Sequence, residues 1–417
     1  MKKVFYIIVI ILFIIFLGGW LIQYLHRNSI VKQEVHRDSK AILILALDNI
    51  MLKNTDEIRT LLTNEDDTSS SADQLKELAT KSGLAIPPKL FFFALTEQSG
   101  TWYAFSKIKD LSAWESYMQH RVDKDSEDSS TASGSFIKLN SHIALAYNKE
   151  QVLWQFSNNS IPDSSLLLNM LADKGNRRPI RYFRGIEKVL WDHDLVYTSD
   201  NADKYITANI QGNEILLDGE WEVSNPLPPR FQVRQIDTAK HALVCWNAIA
   251  MTDSTLLSHL IRPLRELGIH TVDYMDFVVE KKSTKQLDTA ITYDYDADFN
   301  TIEKREIIEK EVPVIRLFTT ASSGEAIHSP FQFFYTFYPK TIDQGIILST
   351  QEEISEDLVL RESNTPFFFR ADFQQWPKAW TFGPFVALQQ KKMVISLQGQ
   401  PSSEKTLHIR GKVLSEK

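Results

Sequence analysis

The chain has 417 residues, 43% hydrophobic and 24% charged, and carries a net charge of −7 at pH 7. That length and apolar content allow large cores without covalent staples, and the single cysteine, Cys245, excludes an intramolecular disulfide and any multi-cysteine metal centre. The acidic balance also excludes a phosphate-backbone binder, which needs clustered Lys and Arg, so no nucleic-acid partner is expected.

The chain opens with Met1, Lys2 and Lys3, and no charge falls between Val4 and Leu25. About 20 such residues at a rise of ~1.5 Å span roughly 30 Å, the thickness of a hydrocarbon core. Trp20 and Tyr24 sit near the end of the run, where amphipathic rings favour the headgroup level. The run exceeds the apolar core of a cleavable signal, and Gly18-Gly19-Trp20-Leu21 is a poor cleavage site. An uncleaved signal-anchor over residues 4–25 is therefore expected, with a cytoplasmic stub before it and a juxtamembrane stretch to residue 40. Lys2 and Lys3 favour a cytoplasmic N-terminus, while Arg27, Lys32, Arg37 and Lys40 bias the charge partly the other way. The expected location is the bacterial inner membrane, single-pass, with the C-terminal body extracytoplasmic in the periplasm.

After the anchor, an apolar strand over residues 41–47 leads into a helical pattern through Ile50, Ile58, Leu61 and Leu62. The acidic, Ser-rich stretches 63–73 and 123–134 cannot bury apolar area and read as exposed loops. Helices are predicted over 73–82, 111–120 and 165–174, with Asp110 or Ser112 as an N-cap. Strands are predicted over 89–95, 101–105 and 143–147, and a hairpin over 205–223 turns near Gly212-Asn213. Three prolines in 224–230 make a stiff connector and the preferred boundary.

The order then repeats. A strand over 242–246 precedes a helix over 253–267, and Leu267-Gly268 echoes Ser82-Gly83. Strands follow over 273–280, 287–295, 331–338 and 346–349, with a short helix over 351–358. Residues 365–370 resemble 178–184, each followed by Trp (Trp191; Trp376 or Trp380), and a hairpin over 393–414 closes the chain. The expected fold class is α+β: a transmembrane helix, then two tandem, duplicated units of antiparallel sheet plus helices at 41–223 and 231–417.

Little chemistry is legible. Asp294, Asp296 and Asp298 start a calcium-loop spacing, but Phe299 and Arg305 stand where that loop needs Gly and Glu. Asp192-His193-Asp194 reads as a polar turn, because no Ser or Cys partner is indicated. Cys245 lies in an apolar run and reads as a buried small hydrophobe. The histidines form no HxH or HExxH pattern, and no glycine-rich phosphate loop occurs. No catalytic, cofactor-binding or metal residue is assigned, and no cofactor is expected.

The Lys2-Lys3 anchor, the apolar strand 41–47 leading into a helix, and its echo at 242–246 carry one resemblance. The layout resembles uncharacterised bacterial membrane-anchored extracytoplasmic proteins with a duplicated α+β unit. The resemblance implies a non-enzymatic envelope protein, an interaction or scaffold module touching the membrane through its helix and meeting another envelope protein or a lipid. The alternatives are a lipid or hydrophobic-ligand binder with a pocket between the units, lined by Phe333, Tyr335 and Phe368, and an enzyme without a recognisable motif.

Overall fold

Alternating apolar and polar residues, rich in aromatic and β-branched types, commit most of the chain to antiparallel strands. The computed structural model describes residues 27–53, 77–78, 80–96, 100–119, 128–131, 134–158, 164–249, 272–295, 301–320, 330–332, 334–354 and 359–415. The chain divides into two units, Met1–Asn209 and Ile210–Lys417.

The strands of the first unit are β1 (Glu34–His36), β2 (Ala41–Ala46), β3 (Lys89–Ala94), β4 (Thr101–Lys107), β5 (Asp128–Thr131) and β6 (Gly134–Lys138). They continue with β7 (Ile143–Tyr147), β8 (Gln151–Ser157), β9 (Arg177–Pro179), β10 (Leu195–Ser199) and β11 (Lys204–Gln211). The main sheet runs β11-β10-β2-β3-β4-β8-β7-β6-β5, every pairing antiparallel, and β1 pairs with β9 beside it. Strand β2 is central, so its sequence AILILA is apolar throughout instead of alternating. Ile42, Ile44, Phe91 and Phe93 pack with Leu167 and Leu171 of a helix at Ser164–Ala172. Arg177 caps that helix by donating to the carbonyls of Met170 (3.2 Å) and Leu171, with its guanidinium over the Phe105 ring. A second helix, Leu111–Gln119, starts where the Asp110 carboxylate accepts from the Ala113 N–H at 3.1 Å. It buries Trp114 and Met118 against Ile137, Leu145 and Val152.

The second unit holds β12 (Glu214–Glu222), β13 (Phe231–Arg234), β14 (His241–Asn247), β15 (Tyr274–Tyr295), β16 (Thr301–Thr320) and β17 (Phe331–Gln332). It ends with β18 (Thr336–Ile342), β19 (Gly345–Ser349), β20 (Leu360–Ser363), β21 (Phe367–Asp372), β22 (Val394–Pro401) and β23 (Thr406–Leu414). Its sheet runs β12-β23-β22-β21-β14-β15-β16-β19-β18, and β13 pairs with β20 as a small separate ribbon. Phe231 and Val233 of that ribbon pack on Tyr274, Phe318 and Ile347. A second cluster joins Ala242 and Ala371 to Phe373 and Trp376, closed by a short helix at Pro384–Gln390.

Three expectations are corrected here. The fold is mostly antiparallel β-sheet, not α+β with an N-terminal transmembrane helix. Described helices run only four to nine residues, because the segments around them alternate with period two and are taken into sheets. Residues 351–354, expected to open a helix, form none; the helix expected at 253–267 lies outside the described residues, and of that expected at 73–82 the described residues 77–78 and 80–81 are helical. No helix among the described residues is long and apolar enough to cross a membrane, and the run at 4–25 lies outside them. The transmembrane, signal-anchored, single-pass reading and its inner-membrane location are therefore set aside.

Turn geometry gives a test of the sheet. Gly345, the first residue of β19, has φ +152°, and a Cβ there would lie 2.1 Å from the Thr319 carbonyl oxygen. Gly212 has φ +59° with nothing within 4 Å. Gly345→Ala is expected to cost about 3 kcal/mol in urea denaturation, against about 1 kcal/mol for Gly212→Ala. Equal losses would contradict the close approach at Gly345.

Candidate interaction surface

Strands β15 and β16 form one hairpin paired from Tyr274↔Thr320 to Tyr295↔Thr301. Neighbouring strands support only its proximal part. β14 pairs with residues 275–280 of β15, and β19 with residues 316–319 of β16. The ladder is then irregular between Val279 and Ser283, and Pro313, which has no N–H to give, stands opposite Ser283. Beyond that point no other described strand pairs with either edge, so the hairpin continues as a two-stranded arm.

Its root is held by buried polar groups. Arg234 of β13 grips Asp276 of β15 in a fork, Nε to Oδ2 at 2.8 Å and Nη2 to Oδ1 at 2.6 Å, with both side chains buried. The Tyr274 hydroxyl accepts from the Arg234 N–H at 3.0 Å. Burial pushes the Asp276 carboxyl up, and the Arg234 guanidinium opposes it. Burial and the Asp276 charge hold the Tyr274 phenol far above its ordinary range. Arg316 of β16 pairs with Glu280 of β15 one step further out. Opposite Glu280, burial pushes the His241 imidazole below its ordinary value, and its Nδ1 donates to the Asp237 carbonyl at 2.8 Å. A buried ion pair contributes little net stability, but losing one partner strands the other charge and costs about 3–5 kcal/mol. The Arg234–Asp276 fork therefore fixes where the small ribbon meets the hairpin.

A neutral latch lies past the irregularity. The Gln286 amide donates to the carbonyls of Thr336 (2.7 Å) and Thr350 (2.8 Å), and its oxygen accepts from the Thr336 N–H at 3.0 Å. Thr350 in turn donates through Oγ1 to the Pro313 carbonyl at 2.8 Å and accepts there from the Ile315 N–H at 2.9 Å. The Lys310 ammonium, across from Gln286, lies over the Tyr335 ring.

The opposite face of the arm is open. Leu287, Thr289 and Ile291 share it by strand alternation, and their cross-strand partners are Glu309, Ile307 and Arg305. Leu287 is 73% exposed, Ile307 72% and Ile291 48%. Lys285 reaches Glu309 at 2.6 Å, and Arg305 reaches Glu303 at 2.5 Å. Exposed pairs of this kind contribute about 0–1 kcal/mol, so their value is in patterning, not stability.

The candidates read from sequence fall elsewhere. Asp194 is buried and held by the Lys53 ammonium at 2.8 and 2.9 Å, while His193 Nδ1 accepts from the Asn209 amide at 3.0 Å. The triplet ties the helix at Leu47–Lys53 to the start of β10. Cys245 is in β14, and burial pushes its thiol up to about 11. Asp294 lies in β15, whereas Asp296 and Asp298 lie outside the described residues. Phe368 stacks on Trp246 at 4.2 Å, Tyr335 takes Lys310, and among the described residues no ring contact joins those two aromatics. Phe333 lies outside the described residues. A cleft of about 550 Å³ is lined by Phe373, Trp376, Gln374, Gln389, Thr381 and Lys378 among others, a mixed polar wall. No three His, Cys, Asp or Glu among the described residues could hold a metal ion. Sequence reading missed β16 altogether; its signal was the β-branched set Ile307, Ile308, Val312 and Val314 inside a charged run.

No family model matches the chain, and no curated protein matches it. Among solved structures, crystal form IV of TP0453 is 10% identical, covering 46% of this chain and 81% of that one, with a TM-score of 0.30. Crystal form III of TP0453 is 9% identical, covering 76% and 92%, with a TM-score of 0.26. At these scores the likeness transfers neither a fold nor a function.

Two outcomes are expected from the root. Gln286→Leu leaves two carbonyls and an N–H without their partner and should lower unfolding free energy by about 1–3 kcal/mol in urea denaturation; no change would remove the latch. Cys245 should resist a thiol reagent in the folded protein at pH 8 and react only after unfolding.

Proposed function

We propose that this chain is a non-enzymatic interaction module whose contact element is the β15–β16 arm. One observation carries the reading: Leu287, Ile291 and Ile307 lie exposed on one face of a ribbon that no described strand accompanies. Apolar groups gathered on a surface mark contact sites more often than chance exposure does. The perturbed titratable groups of the root are paired or buried between strands, so they serve packing. The lipid-pocket and enzyme readings have no comparable observation behind them.

The same proposal takes the chain as a tandem duplication, near residues 41–223 and 231–414. The order β11-β10-β2-β3-β4-β8-β7 has its counterpart in β22-β21-β14-β15-β16-β19-β18, and the ribbon β1–β9 in β13–β20. In that alignment the arm answers to β3 and β4, which need only six and seven residues to fill their sheet. β15 and β16 have 22 and 20. The excess length builds no further sheet, which supports a role outside the unit.

The test places a photoreactive benzophenone side chain at Thr289 of the full chain in its native cells. Irradiation is expected to give a protein cross-link that a probe at the exposed Lys240 does not give. Adding Leu287→Asp with Ile307→Asp is expected to abolish it without lowering thermal stability. No cross-link from position 289, or one indifferent to the double substitution, overturns the reading.

A further inference from the structure

We infer that the partner of the arm is a second copy of this chain, packed face to face and antiparallel across a two-fold axis. The inference rests on the reading of the arm as the contact element and names what it contacts. The register supplies the argument. On the open face, successive cross-strand pairs are Lys285/Glu311, Leu287/Glu309, Thr289/Ile307, Ile291/Arg305 and, at the tip side, Glu303 opposite residue 293.

A two-fold axis lying in the interface and crossing the arm at Thr289/Ile307 keeps each strand above its own copy and reverses the order along the arm. In an isologous contact, if residue i meets j, then j meets i. Ile307 then meets Ile307 of the second copy. Leu287 meets Ile291, and Ile291 meets Leu287. Glu309 meets Arg305, and Arg305 meets Glu309. Around the axis apolar groups fall on apolar groups and Glu309 falls on Arg305, without any adjustment of register. At the ends Glu311 faces Glu303, with Lys285 and Arg305 beside them to offset the like charges. Shifting the axis by one pair on this face, to Leu287/Glu309, sets Glu309 on Glu309 and Leu287 on Leu287 and leaves Ile291 without an apolar partner. The 289/307 register therefore sets opposite charges together where this shift sets like charges together.

The opposite face cannot do the same, because Gln286 and Lys310 are already engaged with Thr336, Thr350 and Tyr335. The open face from the 285 pair to the 303 pair is roughly 27 Å long and 10 Å wide, or about 300 Å² per copy. A stable dimer of standard size buries about 800 Å² per partner. The association is therefore weak and concentration-dependent, set by matching pattern more than by area.

The experiment is sedimentation velocity of the purified full chain over a concentration series, with Arg305→Glu, Glu309→Arg and the double exchange. The native chain is expected to pass from monomer to dimer. Each single reversal should weaken dimerisation about tenfold by setting like charges together. The double exchange should restore it, because Arg at 309 then meets Glu at 305. All three changes lie on an exposed surface, so folding is retained and checked by thermal melting. A chain that stays monomeric at every concentration overturns the inference. So does a dimer indifferent to both single reversals, which would have its contact elsewhere. Either failure is distinct from failure of the functional reading, since a Thr289 cross-link to a different protein would keep the arm as contact element while excluding the second copy.

Discussion

A two-stranded ribbon in water is marginal when left to itself, and this constraint governs the second unit. Among the described residues the arm gains no neighbouring strand after residue 280 on one side and before residue 316 on the other. Whatever keeps it in one place must act at its root. The root supplies two kinds of polar fastening. Arg234 and Asp276 make a buried charged fork, demanding in geometry because neither charge can be left alone. Gln286 and Thr350 make a neutral latch in which donors and acceptors are matched. The irregular ladder at 279–283 and Pro313 let the strand direction change between them.

The fastening also explains the distribution of apolar residues. Below the irregularity, Val278, Val279, Val314 and Ile315 are buried and hold the sheet together. Above it, Val312 is still buried, Leu287, Ile291 and Ile307 stand in water on one face among charged side chains, and Ile308 is 40% exposed on the other. Interspersed charge suppresses indiscriminate edge pairing, so the arm can present Leu287, Ile291 and Ile307 without inviting aggregation. That pattern is what the proposed contact role of the arm requires.

Much of the sheet was legible in the sequence, because period-two alternation is local. The apolar run at 41–46, the hairpins at 204–222 and 394–414 and the helix at 111–119 stand where the residues put them. Weakly patterned strands were not legible: Leu360–Ser363 reads LRES, with one apolar residue and no alternation long enough to decide. The arm was half legible. Its first strand was read as two pieces, since Lys281, Lys282 and Ser283 break the apolar pattern where the ladder is irregular. Its second strand was hidden, since an exposed ribbon selects charged residues and looks like a solvated loop. Arg234 and Asp276 lie 42 residues apart, and no spacing rule joins them.

The most direct measurement is amide hydrogen exchange across residues 274–320 at low and high protein concentration. The account requires slow exchange at 275–279, which the sheet covers on both edges, and faster exchange at 283–291 and 305–312, which only the hairpin protects. Raising the concentration should slow exchange in the arm alone. Uniform protection along the whole hairpin at every concentration would contradict the account, because the distal ribbon would then be held by something other than its root and a partner.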